Sequence, residues 1–279
     1  MIVGALLLAG GVAAGAFGSL LGLGGGVLIV PLLTLGFGLP LREAVAISLV
    51  SVIATSSAAA GAYLRSRVAN LRLGMVLTLF TTIGALVGGI VAFIIPEPIL
   101  TAGFAVLLAY VAVTMVRRGG APEPVAADAA DVPEGAPGSP AGRVAAMTAA
   151  MSTSEYDVGR LVPASAASVG AGVVSALLGI GGGAINVPTM HLIMGVPLRV
   201  AAATSNLMIG VTAVASAIIY LLRDAIDPYV AGPVVVGVFA GATVGARVAH
   251  RVDARILRWL FVVVLLWTAF QMARRAVGA

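Results

Sequence analysis

Three consecutive glycines interrupt an apolar stretch at two places in the chain. The first run lies in G-L-G-G-G-V-L-I-V-P, which ends at Pro31, and the second lies in G-I-G-G-G-A-I-N-V-P, which ends at Pro188. Glycine has no Cβ, so the backbone can turn sharply there and approach a ligand closely. Glycine-broken apolar segments in both halves of a chain are typical of transporter binding sites. We therefore predict that backbone donors of six glycines contribute to one substrate site: Gly24, Gly25, Gly26, Gly181, Gly182 and Gly183.

Close helix packing is the alternative role for these glycines, because small residues let two helix backbones approach each other. A nucleotide-binding loop is excluded, since no Lys-Ser/Thr pair follows either run and no G-x-G-x-x-G opens a helix after a strand. The Val-Pro that follows the glycines in both places favours the site interpretation.

Hydroxyl and amide side chains follow each glycine run on the next long apolar segment. Ser48 and Thr55 lie two helical turns apart and therefore share one helix face. Ser205, Asn206 and Thr212 occupy the corresponding part of the second half. These groups can donate hydrogen bonds to an anion without adding a fixed charge, so we predict that all five bind substrate. The alternative is that the hydroxyls bond to their own helix or to a neighbouring one.

Two polar residues make the second glycine region different from the first. Asn186 and His191 stand where the first half has Ile29 and Thr34. An ionisable residue inside a membrane segment is a functional hypothesis by default, so both are predicted substrate ligands, with His191 also able to relay a proton. A neutral histidine that is hydrogen-bonded within the helix bundle is the alternative.

Arginines mark the approach to each polar helix. Arg42 and Arg199 both follow Pro-Leu, and Pro31 and Pro188 close the preceding glycine motifs. We predict that these four residues gate the site and that the two guanidinium groups draw an anion towards it. Snorkelling of the arginines to the membrane interface is the alternative. Tyr220, near the end of an apolar segment, is predicted to be an interfacial anchor.

The composition predicts an all-α polytopic membrane protein. Hydrophobic residues make up 60% of the chain, charged residues 10%, and the mean hydropathy is +1.12, whereas soluble domains carry roughly 25% charged residues. Short apolar segments at 27–38 and 184–195 follow the glycine runs, and about 12 residues cover only ~18 Å as a helix, too little to cross a bilayer. These two are predicted to be broken or re-entrant helices. Eight longer apolar segments are predicted to be transmembrane helices: 2–22, 44–64, 73–95, 98–116, 161–178, 200–222, 229–249 and 254–273.

The chain contains an internal duplication. A constant offset of 157 residues (179 − 22) takes Gly22 to Gly179, and the same offset takes Pro-Leu-Arg at 40–42 to Pro-Leu-Arg at 197–199. Residues 119–142 have no apolar periodicity and are rich in Pro, Gly, Ala and acidic residues, which is typical of a flexible linker. The linker and the lead-in to the second half together cover residues 119–160. We therefore divide the chain into a first repeat (1–118), the linker (119–160) and a second repeat (161–279).

The arginines favour inverted repeats. If the two halves are parallel, 10 of the 16 arginines lie on one side of the membrane, and Arg223 lies opposite Arg42. If the glycine segments form hairpins, the halves are inverted and 12 of the 16 share one side. The positive-inside rule favours the second arrangement, with the linker in the cytoplasm.

Several classes of function are excluded. The chain has no cysteine, all 16 of its basic residues are arginines, and no His/Asp/Glu cluster has metal-ligand spacing. We therefore predict no enzymatic activity, no catalytic residue, no metal and no cofactor. The net charge of +5 does not indicate a nucleic-acid partner, because the arginines sit at the ends of apolar segments. The expected partners are a small anionic substrate and the lipid bilayer, and the sequence leaves open whether the chain forms a homodimer.

The doubled G-x-G-G-G-x-x-x-V-P motif, the Pro-Leu-Arg-x-Ala that follows it and the two-half organisation resemble the TauE/SafE family of bacterial membrane transporters. The resemblance covers nearly the whole chain outside the linker. It implies a secondary transporter in the bacterial cytoplasmic (inner) membrane that exports sulfite, sulfoacetate or other organosulfonates, by alternating access around a midplane site. An anion channel and a non-transporting membrane scaffold are the alternatives.

Overall fold

The structure, a computed structural model, is all-helical in the residues that it describes. These residues are 2–20, 26–66, 70–117, 161–194, 196, 198–248 and 254–278. Gly24, Gly25 and the linker at 119–160 lie outside them, and so do the side chains of His191 and Arg199.

The helices of the two halves follow one another in the same order. In the first half they are α1 (Ile2–Leu20), α2 (Gly26–Pro31) with a π-helical continuation at Leu32–Gly36, α3 (Leu41–Ser66), α4 (Leu71–Ile94) and α5 (Glu97–Arg117). In the second half they are α6 (Leu161–Leu178), α7 (Gly183–Met194), α8 (Leu198–Leu222), α9 (Pro228–Val248) and α10 (Ala254–Val277). Adding 157 to the start of α2, α3, α4 or α5 gives the start of its counterpart, so the duplication extends to helix boundaries.

The two short helices begin directly after the glycine runs. They cover 26–36 and 183–194, within two residues of the predicted 27–38 and 184–195. Pro31 and Pro188 each stand six residues into these helices and have no N–H to donate to the preceding turn. After Pro31 the helix widens into the π-helical segment, whereas α7 continues through Pro188 as an α-helix.

Glycines bring one helix of each half into backbone contact with a helix of the other half. A Cβ on Gly84 of α4 would overlap the carbonyl oxygen of Val169 of α6, and a Cβ on Gly241 of α9 would overlap that of Val12 of α1. These two contacts are related by the 157-residue offset. The glycines of α4 and α9 therefore pack helices, and they do so between the halves rather than within them.

In the contacts between α4 and α8, the residue numbers of the two helices increase together. Gly74 lies against Thr204, the hydroxyls of Thr81 and Thr212 are 3.3 Å apart, and Gly89 lies against Ile219. The two helices therefore run in the same direction.

An apolar stripe covers the outer face of α4. Its exposed side chains recur every three or four residues, as on one face of a helix: Met75, Leu79, Ile83, Leu86, Ile90 and Ile94. An exposed, continuous apolar face of this kind suits contact with lipid chains. In the described part of the chain, five helices are long and apolar enough to cross a membrane, and three shorter apolar helices accompany them. The protein is thus a multi-pass membrane protein.

Candidate functional site

The second glycine run forms a left-handed turn between α6 and α7. The φ angles are +71° at Gly179, +80° at Gly181 and +77° at Gly182, a region that side chains with a Cβ rarely adopt. The carbonyl of Gly182 then accepts the N–H groups of Ile185 (3.1 Å) and Asn186 (2.9 Å), which starts α7. The glycines are required here because the chain must reverse within a few residues.

Three buried polar side chains surround this turn without a partner. The hydroxyls of Ser175 and Ser205 and both polar atoms of the Asn186 amide make no hydrogen bond in the described structure. All three residues are only 1% exposed. Buried polar groups are nearly always hydrogen-bonded, so a cluster of four unpaired atoms indicates a place where a ligand or water completes the bonding.

Two of the glycines lie within contact range of these polar groups. An ideal Cβ on Gly182 would lie 3.4 Å from the Asn186 Nδ2 and 3.5 Å from the Ser175 Oγ. One on Gly183 would lie 3.7 Å from the Ser205 Oγ. Gly182 therefore lies beside Asn186 and Ser175, and Gly183 lies beside Ser205.

Ser48 connects the glycine turns of the two halves. Its hydroxyl lies 2.7 Å from the carbonyl oxygen of Gly179 and 3.2 Å from that of Gly26. A Cβ on Gly26 would come within 2.9 Å of the same Gly179 oxygen. Gly26, the last glycine of the first run, therefore lies against Gly179, the first residue of the second glycine motif.

Apolar side chains close the space beside the glycines. Val52 of α3 contacts both Gly26 and Gly181, and Ile209 of α8 contacts both Gly181 and Gly183. Both are largely buried. No group of three or more acidic, histidine or cysteine side chains that could hold a metal ion occurs in the described ranges.

Two of the other predicted ligands, Thr55 and Thr212, direct their hydroxyls to nearby backbone, and the backbone of a third, Asn206, accepts a hydroxyl from α3. The Thr55 hydroxyl donates to the carbonyls of its own helix, at Ser51 and Val52, and the Thr212 hydroxyl donates to Met208 at 2.8 Å. The backbone carbonyl of Asn206 accepts the Ser56 hydroxyl at 3.1 Å. For both threonines the structure shows the back-bonding that the sequence left open as the alternative.

Arg42 binds the carboxyl end of α4. Its guanidinium donates to the carbonyls of Ala92 (3.1 Å) and Ile95 (2.8 Å), which are left free where α4 ends. It also lies 5.6 Å from the ring centre of Phe93, and Arg223 lies 5.5 Å from the same ring centre. Arg42 and Arg223 are therefore at the same end of the helix bundle.

Two residues near the turn have roles that the sequence did not suggest. Ser175 has no polar counterpart in the first repeat, where Gly18 occupies its position, and a single serine in an apolar helix gives no signal. Tyr220 was predicted to be an interfacial anchor, and that prediction is wrong. It is fully buried, and its hydroxyl donates to the carbonyl of Ala176 at 3.0 Å, at the end of α6.

Comparison with known proteins agrees with this architecture. The family model for the sulfite exporter TauE/SafE matches residues 7–272. The chain is also similar to the "Probable membrane transporter protein YunE" of Bacillus subtilis (strain 168), with 24% identity over 276 residues that cover 94% of each chain. No solved structure matches the chain. Since the family model covers nearly the whole sequence, this transporter belongs to the TauE/SafE family of sulfite exporters.

Proposed function

We propose that the protein is a secondary transporter that exports small sulfur-containing anions, such as sulfite, sulfoacetate or other organosulfonates, across the bacterial cytoplasmic membrane. The observation that carries this proposal is the cluster of unpaired, buried polar atoms on Ser175, Asn186 and Ser205 around the turn at 182–183. Family membership supports transport as the activity.

The chemistry of the turn suits an anion. Asn186 and the two serines offer neutral donors, and the first N–H groups of α7 have no acceptor within their own helix. The positive end of the helix dipole lies at the same place and favours negative charge. Because these groups are fixed by helices rather than by long side chains, they would hold an anion in a defined position.

A midplane location is supported by the depth of two equivalent serines. Ser48 and Ser205 each lie seven residues after the first residue of α3 and α8, about 10 Å along the helix axis. Ser48 contacts the glycine turn of the opposite half. A site between two such positions, approached from opposite ends, is suited to alternating access.

Inverted repeats are supported by two independent sets of contacts. First, α4 runs parallel to α8, and a short connection makes α4 antiparallel to α3, which is the counterpart of α8. Second, Arg42 and Arg223 flank the same ring of Phe93, whereas parallel repeats would put these arginines on opposite sides of the membrane. We therefore propose that α1 with α2, and α6 with α7, form hairpins that enter from opposite faces.

The described residues contain eight helices of 18 residues or more: α1, α3, α4, α5, α6, α8, α9 and α10. In this proposal six of them cross the membrane completely, namely α3, α4, α5, α8, α9 and α10, whereas α1 and α6 enter it and return to the same face with α2 and α7. The six crossing helices have 21 residues or more, about 31 Å, which is enough to span the hydrocarbon core. The short helices α2 and α7 carry the site without crossing.

Flux measurements on the purified protein in liposomes test the function. We expect saturable uptake of radiolabelled sulfite or a small sulfonate, with counterflow when unlabelled anion is inside, and no such flux in protein-free liposomes. Current proportional to voltage without saturation would indicate a channel instead. No flux of any small anion from well-folded protein would contradict transport and favour a scaffold.

A further inference from the structure

The amide of Asn186 requires two kinds of partner. Its Oδ1 can only accept hydrogen bonds and its Nδ2 can only donate them, and both atoms are buried without a partner in the described structure. This holds whichever way round the amide is placed, since neither end is bonded. The hydroxyls of Ser175 and Ser205 are less demanding because each can donate or accept.

A fully deprotonated oxyanion cannot satisfy this arrangement. It would accept hydrogen bonds from Nδ2 and from the two serine hydroxyls, but it has no proton to give to Oδ1 of Asn186. The carbonyl-type oxygen would then stay buried and unpaired beside a negative charge, which is costly. A ligand that carries both oxyanion acceptors and at least one O–H or N–H donor satisfies every group.

The charge of the ligand is also limited by the site. The atoms nearest to Gly181, Gly182 and Gly183 belong to valine, isoleucine, serine and asparagine side chains, none of which is charged. The compensation available is the α7 dipole, equivalent to about half a charge. The cost of moving an ion out of water rises with the square of its charge and is already large for one charge, so neutral donors of this kind favour a monoanion over a dianion.

We propose that the turn at 182–183 binds a singly charged oxyanion that carries its own hydrogen-bond donor, in which Oδ1 of Asn186 accepts the ligand's proton-bearing group. A hydrogen oxyanion and an amino- or hydroxyl-bearing sulfonate belong to this class. The inference rests on the proposed function only in treating this turn as the transport site, since binding can be measured without flux.

Two nearly isosteric monoanions test the donor requirement. Sulfamate carries an NH₂ group where methanesulfonate carries CH₃, and both have the same charge and the same sulfonate oxygens. We expect sulfamate to stabilise the purified full-length protein against thermal unfolding at roughly tenfold lower concentration than methanesulfonate, because only sulfamate pairs the buried acceptor. Sulfate, a dianion without a donor, should stabilise least. The same order is expected when these anions compete with labelled hydrogen sulfite for flux.

Asn186→Leu and Asn186→Ala supply the matched variants, and Gly103→Ala, at a position with open space around it, is the control. Loss of the sulfamate preference in either Asn186 variant but not in the control supports the proposal. Equal stabilisation by sulfamate and methanesulfonate, no stabilisation by either anion, or a preference that survives in both Asn186 variants overturns it. If the preference is present but flux is absent, the ligand inference stands and the transporter proposal fails.

Discussion

The hydroxyl of Ser48 lies 2.7 Å from the backbone carbonyl oxygen of Gly179, so a side chain of the first half holds the glycine turn of the second. Both groups are fully or almost fully buried. A buried hydrogen bond of this kind fixes the position of the left-handed turn relative to α3. The polar cluster of Ser175, Asn186 and Ser205 around the turn is therefore held in position by a contact from the other repeat.

Ser48→Ala should lower the stability of the protein by about 1–3 kcal/mol, because it leaves the Gly179 carbonyl without this donor. Thermal unfolding in detergent measures the change. Ser57→Ala on the same helix is the matched control, since the Ser57 hydroxyl is exposed and bonds only to its own helix at Ile53. Equal melting temperatures for the two variants would show that the contact between Ser48 and Gly179 contributes nothing.

Asn186→Leu should stabilise the unliganded protein by about 1 kcal/mol or more while abolishing flux, because it removes two unpaired buried atoms that, in our proposal, bond only to a ligand. Asn70→Ala should do the opposite to stability. Asn70 is also buried, but its side chain accepts the Leu73 N–H at the start of α4, and loss of such a cap costs about 1 kcal/mol. A destabilised Asn186→Leu protein would indicate that the amide has a structural partner after all.

Gly182→Ala should reduce flux strongly while the protein still folds. The left-handed φ of +77° costs an alanine about 1–2 kcal/mol, and the new methyl group would point between Ser175 and Asn186 at contact distance. Gly182→Val adds β-branching to the same strained position and should abolish flux. Size-exclusion profiles and liposome flux together check this; unchanged flux in Gly182→Ala would argue against the turn as the site.

Gly84→Ala and Gly241→Ala should each prevent normal folding. In both, the new methyl group would overlap a backbone carbonyl of the neighbouring helix, at Val169 and Val12 respectively, and backbone cannot move aside as a flexible side chain can. Yield of monodisperse protein is the measurement. Gly103→Ala should express like the unmodified protein, since nothing lies near that position.

Single cysteines can be placed without first removing any, because the chain has none. Pro96→Cys and Asp227→Cys, both at exposed positions near the Arg42–Phe93–Arg223 contact, should react with a membrane-impermeant reagent from the same side. Arg199→Cys should react from the opposite side. Labelling of positions 96 and 199 from one side would rule out inverted repeats.

Much of the fold follows from the sequence because its signals are local. The glycine runs predict where α2 and α7 begin, and the constant 157-residue offset carries the helix boundaries of one half onto the other. The packing of Gly84 and Gly241, by contrast, required knowledge of which helices are neighbours. Small residues in a helix indicate that another helix packs closely against it, but they do not indicate which helix that is.

The candidate site could be predicted only in part. Asn186 and Ser205 stood out as polar residues in apolar segments, and the structure brings both to the turn with Gly182 and Gly183. Thr55 and Thr212 carried the same signal but donate to their own helices, a choice that depends on local rotamers rather than on sequence spacing. Ser175 carried no signal, since its position on α6 matters only once the turn folds back against it.

The glycine contacts of α1 with α9 and of α4 with α6 have a consequence for the origin of the protein. The first long helix of each repeat packs against a helix of the other repeat. Val12 of α1 lies against Gly241 of α9, and Val169 of α6 lies against Gly84 of α4. In a single repeat, the glycine-lined face of α4 or α9 would have no helix packed against it. Under the inverted arrangement proposed above, an ancestral gene that encoded a single repeat would have required two copies inserted in opposite orientations, and fusion of the genes would have made that pairing permanent.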